Sequence, residues 1–192
     1  MKNSSSIFNG FVSEKPKANL LAIGKHLVKI IRVVLIDSFM NMDGSAKEDQ
    51  KWSVPTPQVG VSFQDDKGAV ISMRLNGLGY MHSDDYDPEE MKEQGLIDVD
   101  GYACKELDDG KYERIVSEAN TEACKNIMNQ FLYACGVPEG TTLPNFIKTA
   151  LEGEVELEIE VVANDYNPDK PSPEVKSYSR KKETAEPTLD LQ

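Results

Sequence analysis

The sequence predicts a β-rich fold: an OB-like order of five strands closed into a small barrel, with one main α-helix between strands 3 and 4 and an acidic insertion. Three observations predict it. In residues 154–161, Val155, Leu157, Ile159 and Val161 alternate strictly with Glu154, Glu156, Glu158 and Glu160, the period of a strand with one buried and one wet face. Residues 58–65 and 69–76 alternate in the same way on either side of Asp66-Lys67-Gly68, which makes them a hairpin. Cys124, Ile127, Met128, Phe131, Leu132 and Cys135 recur at the spacing of an amphipathic helix.

Taken in order, residues 1–23 read as a loosely ordered lead-in and residues 24–178 as a single domain. Residues 26–36 are apolar apart from Lys29 and Arg32, a strand whose two halves bury opposite faces. Residues 37–57 form a connection of about 20 residues, long enough to be functional in a compact domain, and hold the single tryptophan, Trp52. In the hairpin, Val59, Val61, Phe63, Ile71, Met73 and Leu75 face the core. The opposite face shows Gly60, Ser62, Gln64, Val70, Ser72, Arg74 and Asn76, without one carboxylate.

Residues 84–113 change character. Twelve acidic residues stand against Lys92, Lys105 and Lys111, an excess of nine in a chain whose net charge is −12. This is the acidic insertion, with a helical turn near residues 88–93 and a hairpin at Asp109-Gly110. Asn120 or Thr121 is placed to cap the main helix, and Gly136 with Pro138 to end it. A short helix at residues 143–151 leads into the alternating strand. A loop at residues 164–173 leads to a closing strand at 174–178, and residues 179–192 read as a disordered polar tail.

Composition excludes several classes. No apolar run approaches the roughly 20 residues of a membrane span, and the N-terminal residues lack the architecture of a signal peptide. Three cysteines without metal-ligand spacing point to free thiols in a reducing compartment, hence the cytoplasm. His26 and His82 lie far apart, so no zinc spacing exists. Asp98-Val99-Asp100-Gly101 opens like a calcium loop, but its glycine comes too early and Cys104 stands where a ligand belongs, so turn chemistry accounts for it. No catalytic constellation is visible, and the chain reads as a non-enzyme without metal or cofactor.

Strand, hairpin, helix and two further strands is the order of the OB-fold, which binds oligonucleotides or oligosaccharides on its second and third strands and on flanking loops. The acid-free hairpin then becomes the binding face, residues 37–57 and 164–173 its loops, and the glutamates of the fourth strand project away from it. Cys124 through Arg180 also resembles phage-encoded single-stranded-DNA-binding proteins. The likeness rests on Tyr133-Ala134-Cys135-Gly136-Val137-Pro138, Leu151-Glu152-Gly153, Asn164-Asp165-Tyr166 and Glu174-Val175-Lys176-Ser177-Tyr178, and more loosely on Gly24 with its strand and on Gly79-Tyr80. The resemblance implies sequence-nonspecific binding of single-stranded DNA in phage replication and recombination, in the host cytoplasm. Its partners would be single-stranded DNA and replication or recombination proteins, with a homo-oligomer allowed and no membrane.

On this reading Lys29, Arg32, Arg74, Lys176, Arg180, Lys181 and Lys182 track phosphates, and Trp52, Tyr80, Tyr166 and Tyr178 offer faces for bases. Only Arg74 is put on the binding face by alternation itself; the others follow from the assumed fold. The competing reading is a protein-interaction or virion-accessory module whose insertion contacts a basic partner, and a saccharide-binding barrel comes third.

Overall fold

The computed structural model describes residues 20–48, 50–153, 155–164 and 172–180. Its centre is an antiparallel sheet of five strands: β1 (Gly24–Asp37), β2 (Pro57–Gln64), β3 (Val70–Asn76), β7 (Glu156–Asn164) and β8 (Ser172–Arg180). Their spatial order is β3-β2-β1-β7-β8. Between β3 and β7 the chain forms the helices α1 (Pro88–Glu93), α2 (Glu118–Ala134) and α3 (Leu143–Glu152). It also forms a second, three-stranded sheet of β4 (Ile97–Val99), β5 (Tyr102–Glu106) and β6 (Tyr112–Arg114).

The long first strand serves two neighbours because it carries a bulge. Its register with β2 slips between Ile30 and Arg32, leaving Ile31 as the extra residue. Before the slip Val28 and Ile30 are buried, and after it Val33 is, so the inward parity changes from even to odd. The outward side of β1 is accordingly Lys25, Leu27 and Lys29, then Arg32, Val34 and Ile36, opposite Ser62, Gly60 and Gln58.

The expected barrel does not close. β3 and β8 approach each other with Cα atoms within 8 Å, but the sheet order leaves both as edges among the described residues. Helix α2 packs against both edges, and its Phe131, fully buried, fills the space between them. The Phe131 ring meets Phe63 of β2, Phe146 of α3 and Tyr178 of β8 edge-on, at centroid distances of 6.4, 5.9 and 5.2 Å. β8 is itself built as an edge: Pro173 lacks a backbone N–H, and the register with β7 slips so that Lys176 is left without a partner residue.

One apolar core lies inside the curled sheet, joining Val28, Ile30, Val61, Phe63, Ile71, Leu157, Ile159 and Val161 to Phe131, Phe146 and Ala150. Leu21, in the stretch read from the sequence as lead-in, belongs to it: the residue is 2% exposed and its amide donates to the Val70 carbonyl. Helix α2 starts earlier than expected. Ser117, not Asn120 or Thr121, is the N-cap, and its hydroxyl accepts from the Asn120 amide. Its end follows expectation. Gly136, at φ 71°, lets the Val137 amide reach the Leu132 carbonyl and the Gly136 amide the Tyr133 carbonyl.

Residues 84–113 form a folded element. Asp87 caps α1 through the Glu89 amide. Asp100 and Gly101, at φ 54° and 79°, make the tight turn between β4 and β5, with the Gly101 amide on the Asp98 carboxylate. A second hairpin joins β5 to β6 at Asp109-Gly110. Its base is clamped to α2 where Gly79 meets the Asn120 backbone so closely that a Cβ there would lie 2.2 Å from the Asn120 carbonyl carbon. Among the described residues no helix is long and apolar enough to cross a membrane.

Candidate nucleic-acid interface

The outer face of β2 and β3 carries the side chains that alternation assigned to it. Gly60 is paired with Arg74, Ser62 with Ser72, Gln64 with Val70 and Gln58 with Asn76, and no carboxylate stands among them. The face is not bare. The loop that follows β1 folds back on it: Met42 lies against Gly60 so tightly that a Cβ there would sit 2.7 Å from the Met42 sulfur. Ser62, outward but 6% exposed, hydrogen-bonds the Ser72 hydroxyl at 2.8 Å.

Arg74 lies at the seam of strand and loop. Its Nη1 donates to Gln58 Oε1 at 2.8 Å and, more weakly, to the Asp37 carbonyl at 3.4 Å; its Nη2 donates to the Met40 carbonyl at 2.8 Å. The positively charged guanidinium is held by one amide and two neutral carbonyls and makes no ion pair among the described residues. That charge is felt next door: Lys47, whose ammonium donates to the Ser38 carbonyl, has its pKa lowered by desolvation first and by Arg74 second. Arg32 is exposed on the neighbouring stretch of β1. Asp37 and Asp43 are the acids that act on this group, Asp37 on Lys47 and Asp43 on Arg32. The Asp43 carboxyl is held below the usual range mainly by the Ser45 hydroxyl and amide, with a small contribution from Arg32. Arg32, Lys47 and Arg74 thus border an acid-free strand pair, facing Asp37 and Asp43 at one end.

The other end of the loop is fastened to the insertion. The Ser53 amide donates to the Tyr112 carbonyl, and the Tyr112 amide to the Lys51 carbonyl, both at 2.9 Å. Lys51 pairs with Asp100. Arg114 fills a box of rings: its guanidinium carbon is 4.0 Å from the Tyr80 centroid, 4.5 Å from Trp52 and 5.8 Å from Tyr102, and its Nη2 donates to Thr56 Oγ1 at 2.7 Å. Tyr80 is 9% exposed with its hydroxyl on the same Thr56 oxygen. Trp52 and Tyr80, which the sequence offers as faces for bases, therefore both have Arg114 and the Tyr102 ring as partners. Arg114, the one arginine close behind twelve acids, is the residue that sequence reasoning passed over.

The remaining expected residues scatter. Lys29 stands on outer β1 opposite Glu156, and Lys25, 4.0 Å from Glu158, makes an exposed pair of little energetic weight. The glutamates of β7 do not point away from the outer face. They line the same side of the sheet, two interstrand spacings (about 10 Å) from β2, with the β1 lysines between. Lys176 is exposed at the β8 bulge. Tyr178 is half-buried against Phe131, with its hydroxyl donating to the Ile127 carbonyl; desolvation, then Cys135, pushes its pKa up. Arg180 ends β8 beside Gly136. Tyr166, Lys181 and Lys182 lie outside the described residues. Among the described residues no three His, Cys, Asp or Glu side chains converge on one point. No protein-family model matches the chain, and no curated protein matches it.

Proposed function

We propose that the chain is a non-enzymatic binder of single-stranded DNA, an open barrel of OB type that takes the strand across the outer face of β1, β2 and β3. The observation that carries the reading is charge segregation. In a chain of net charge −12, the outer face of β2 and β3 has no carboxylate and is bordered by Arg32, Lys47 and Arg74. The strand order β3-β2-β1-β7-β8 with a helix after the third strand, and the approach of β3 to β8, support the OB assignment. The resemblance of residues 124–180 to phage-encoded single-stranded-DNA-binding proteins supports a setting in replication or recombination.

Arg32 and Lys29 meet phosphates from β1. Arg74 exchanges the Met40 and Asp37 carbonyls for a phosphate oxygen, a stronger, charge-assisted hydrogen bond. That exchange lifts the loop at Met42, so residues 38–48 are a flap and residues 50–56 a tether held by Arg114. The test is a titration with oligo-dT at two salt concentrations, read by Trp52 fluorescence and by gel shift, with double-stranded DNA in parallel. Binding should favour the single strand, fall steeply with salt, and weaken in Arg32→Ala. Neither quenching nor a shift at low salt ends the reading.

One observation favours the protein-interaction alternative: the acidic insertion is a folded sheet fastened to the body, a surface built to persist. Neutralising Asp108 and Asp109 to asparagine separates the two readings. DNA binding should hold or improve under the first, and capture of a basic partner should be lost under the second.

A further inference from the structure

Tyr133 is the most exposed large apolar side chain among the described residues, 83% open on the last turn of α2. A phenol ring left in water at the end of a helix gains nothing for the fold, and here it stands between two clefts. One, of about 530 Å³, is shared with Gln130, Tyr178 and Arg180; the other, of about 630 Å³, with Leu132, Val137 and Thr141. Arg180 lies over the bare backbone of Gly136, its guanidinium carbon 3.5 Å from where a Cβ would be, and makes no ion pair among the described residues. A Cβ there would make only an ordinary contact with the guanidinium, so it is the φ of 71° and not Arg180 that asks for glycine at this position.

The clefts do not end there. Arg180 and Ala134 also line a third, of about 470 Å³, which runs to Lys29 and Glu156, and those two border the small depression beside Leu27 and Ile31 on outer β1. Clefts that share lining residues therefore run from Lys29, past Arg180, to the Tyr133 ring, with Glu156, Asp65 and Asp66 at the Lys29 end.

We infer that the shoulder at the C-terminus of α2 is a nucleotide subsite, with the Tyr133 ring as a stacking platform for one base and Arg180 as the cation for the adjoining phosphate. The inference rests on the single-strand-binding reading and extends it, because the hairpin face has no aromatic of its own and Trp52 and Tyr80 are engaged by Arg114. Chemistry favours a nucleotide chain over a peptide. The subsite combines a flat, exposed ring with a guanidinium on the wall of the same cleft, which matches alternating planar bases and phosphates. Glu139 lines the cleft on the other side of Tyr133 and Glu156 the third cleft, whereas the cleft that Tyr133 shares with Arg180 has no acidic lining residue, so the phosphate belongs there.

The experiment compares full-length protein with Tyr133→Ala, Tyr133→Phe and Arg180→Gln for binding to fluorescein-labelled oligo-dT, and adds Tyr133→Trp as an optical reporter. Tyr133→Ala should weaken binding about tenfold while Tyr133→Phe keeps it, since stacking needs the ring and not the hydroxyl. Arg180→Gln should weaken binding and reduce the slope of log affinity against log salt by about 0.7, one single-strand phosphate. The tryptophan at position 133 in Tyr133→Trp should be quenched by oligo-dT. Because Tyr133 is exposed, its variants should keep the wild-type melting temperature, which separates lost binding from lost folding. If the wild type binds, Arg32→Ala weakens it and Tyr133→Ala leaves it unchanged, the subsite is overturned and the reading stands. If the wild type binds no oligo-dT, both fall.

Discussion

The five-stranded sheet and the acidic insertion are held together by different physics. In the main sheet the adhesive is buried hydrocarbon: Phe63, Phe131, Phe146, Leu157 and Val161 are all 0% exposed and touch through one continuous core. The insertion buries little beyond Leu96, Ala103 and Cys104. It is fixed by turns, by backbone bonds such as Ala103 to the Met81 carbonyl, and by one guanidinium among three rings. The difference teaches that the insertion is the part whose attachment can be loosened while the domain persists. Since residues 50–56 are tied to the insertion while Met40 and Met42 lie on the main sheet, loosening that attachment frees residues 50–56 as well.

The comparison breaks most severely at Phe131. Replacing it with alanine removes the ring that joins β2, α3 and β8, and should cost about 3–5 kcal/mol, visible as a large fall in the urea midpoint with both regions unfolding together. If the insertion kept its hydrogen-exchange protection after the main sheet had lost its own, the two regions would not be related as described.

A pH dependence sharpens the same contrast. Burial pushes the Cys135 thiol from the ordinary 9.0 up to about 12. The folded state thus holds this proton more tightly than the unfolded chain does. Its contribution is fully present below about pH 9 and is lost as pH rises toward 12, at a cost of a few kcal/mol. Tyr178 shifts in the same direction. Alkaline denaturation followed by circular dichroism should therefore steepen in this window, and Cys135→Ala should flatten the curve.

The smallest effect belongs to the insertion. Arg114→Ala removes the donor to Thr56 and the cation from the ring box, and should cost about 1–3 kcal/mol. Hydrogen exchange should rise at Tyr102, Tyr112 and Ser53 while β1 and β7 stay protected, and Trp52 fluorescence should shift toward that of a wetter indole. Uniform loss of protection across both sheets would show that the insertion is part of one cooperative unit.

Elements with a strong period were legible before any coordinates. The alternation of β7, the hairpin of β2 and β3, and the stripe of α2 each repeat one burial choice several times, so local sequence and tertiary environment agree. The three short strands of the insertion span 3, 5 and 3 residues, too few for a period to rise above chance. Their hairpin at Asp109-Gly110 was visible only through its turn residues. Ser117 was missed as a cap because Asn120 and Thr121, three and four residues on, carry equally good capping side chains. They are spent instead on the carbonyls of Tyr80 and Gly79. For the candidate site, the acid-free face and Arg74 were legible, and the cover laid over them by Met42 was not.

The sequence by itself determined the strands of the main sheet, the main helix, the sidedness of the hairpin and the separation of acid from the β2–β3 face, because each depends on the spacing of neighbours along the chain. Tertiary structure alone decided that the sheet stays open around Phe131, that Arg114 stands over the rings of Trp52 and Tyr80, and that Tyr133 is left bare in the cleft it shares with Arg180. These depend on which distant segments meet, and a contact between residues 52 and 114 or between 133 and 180 leaves no periodic mark in either segment.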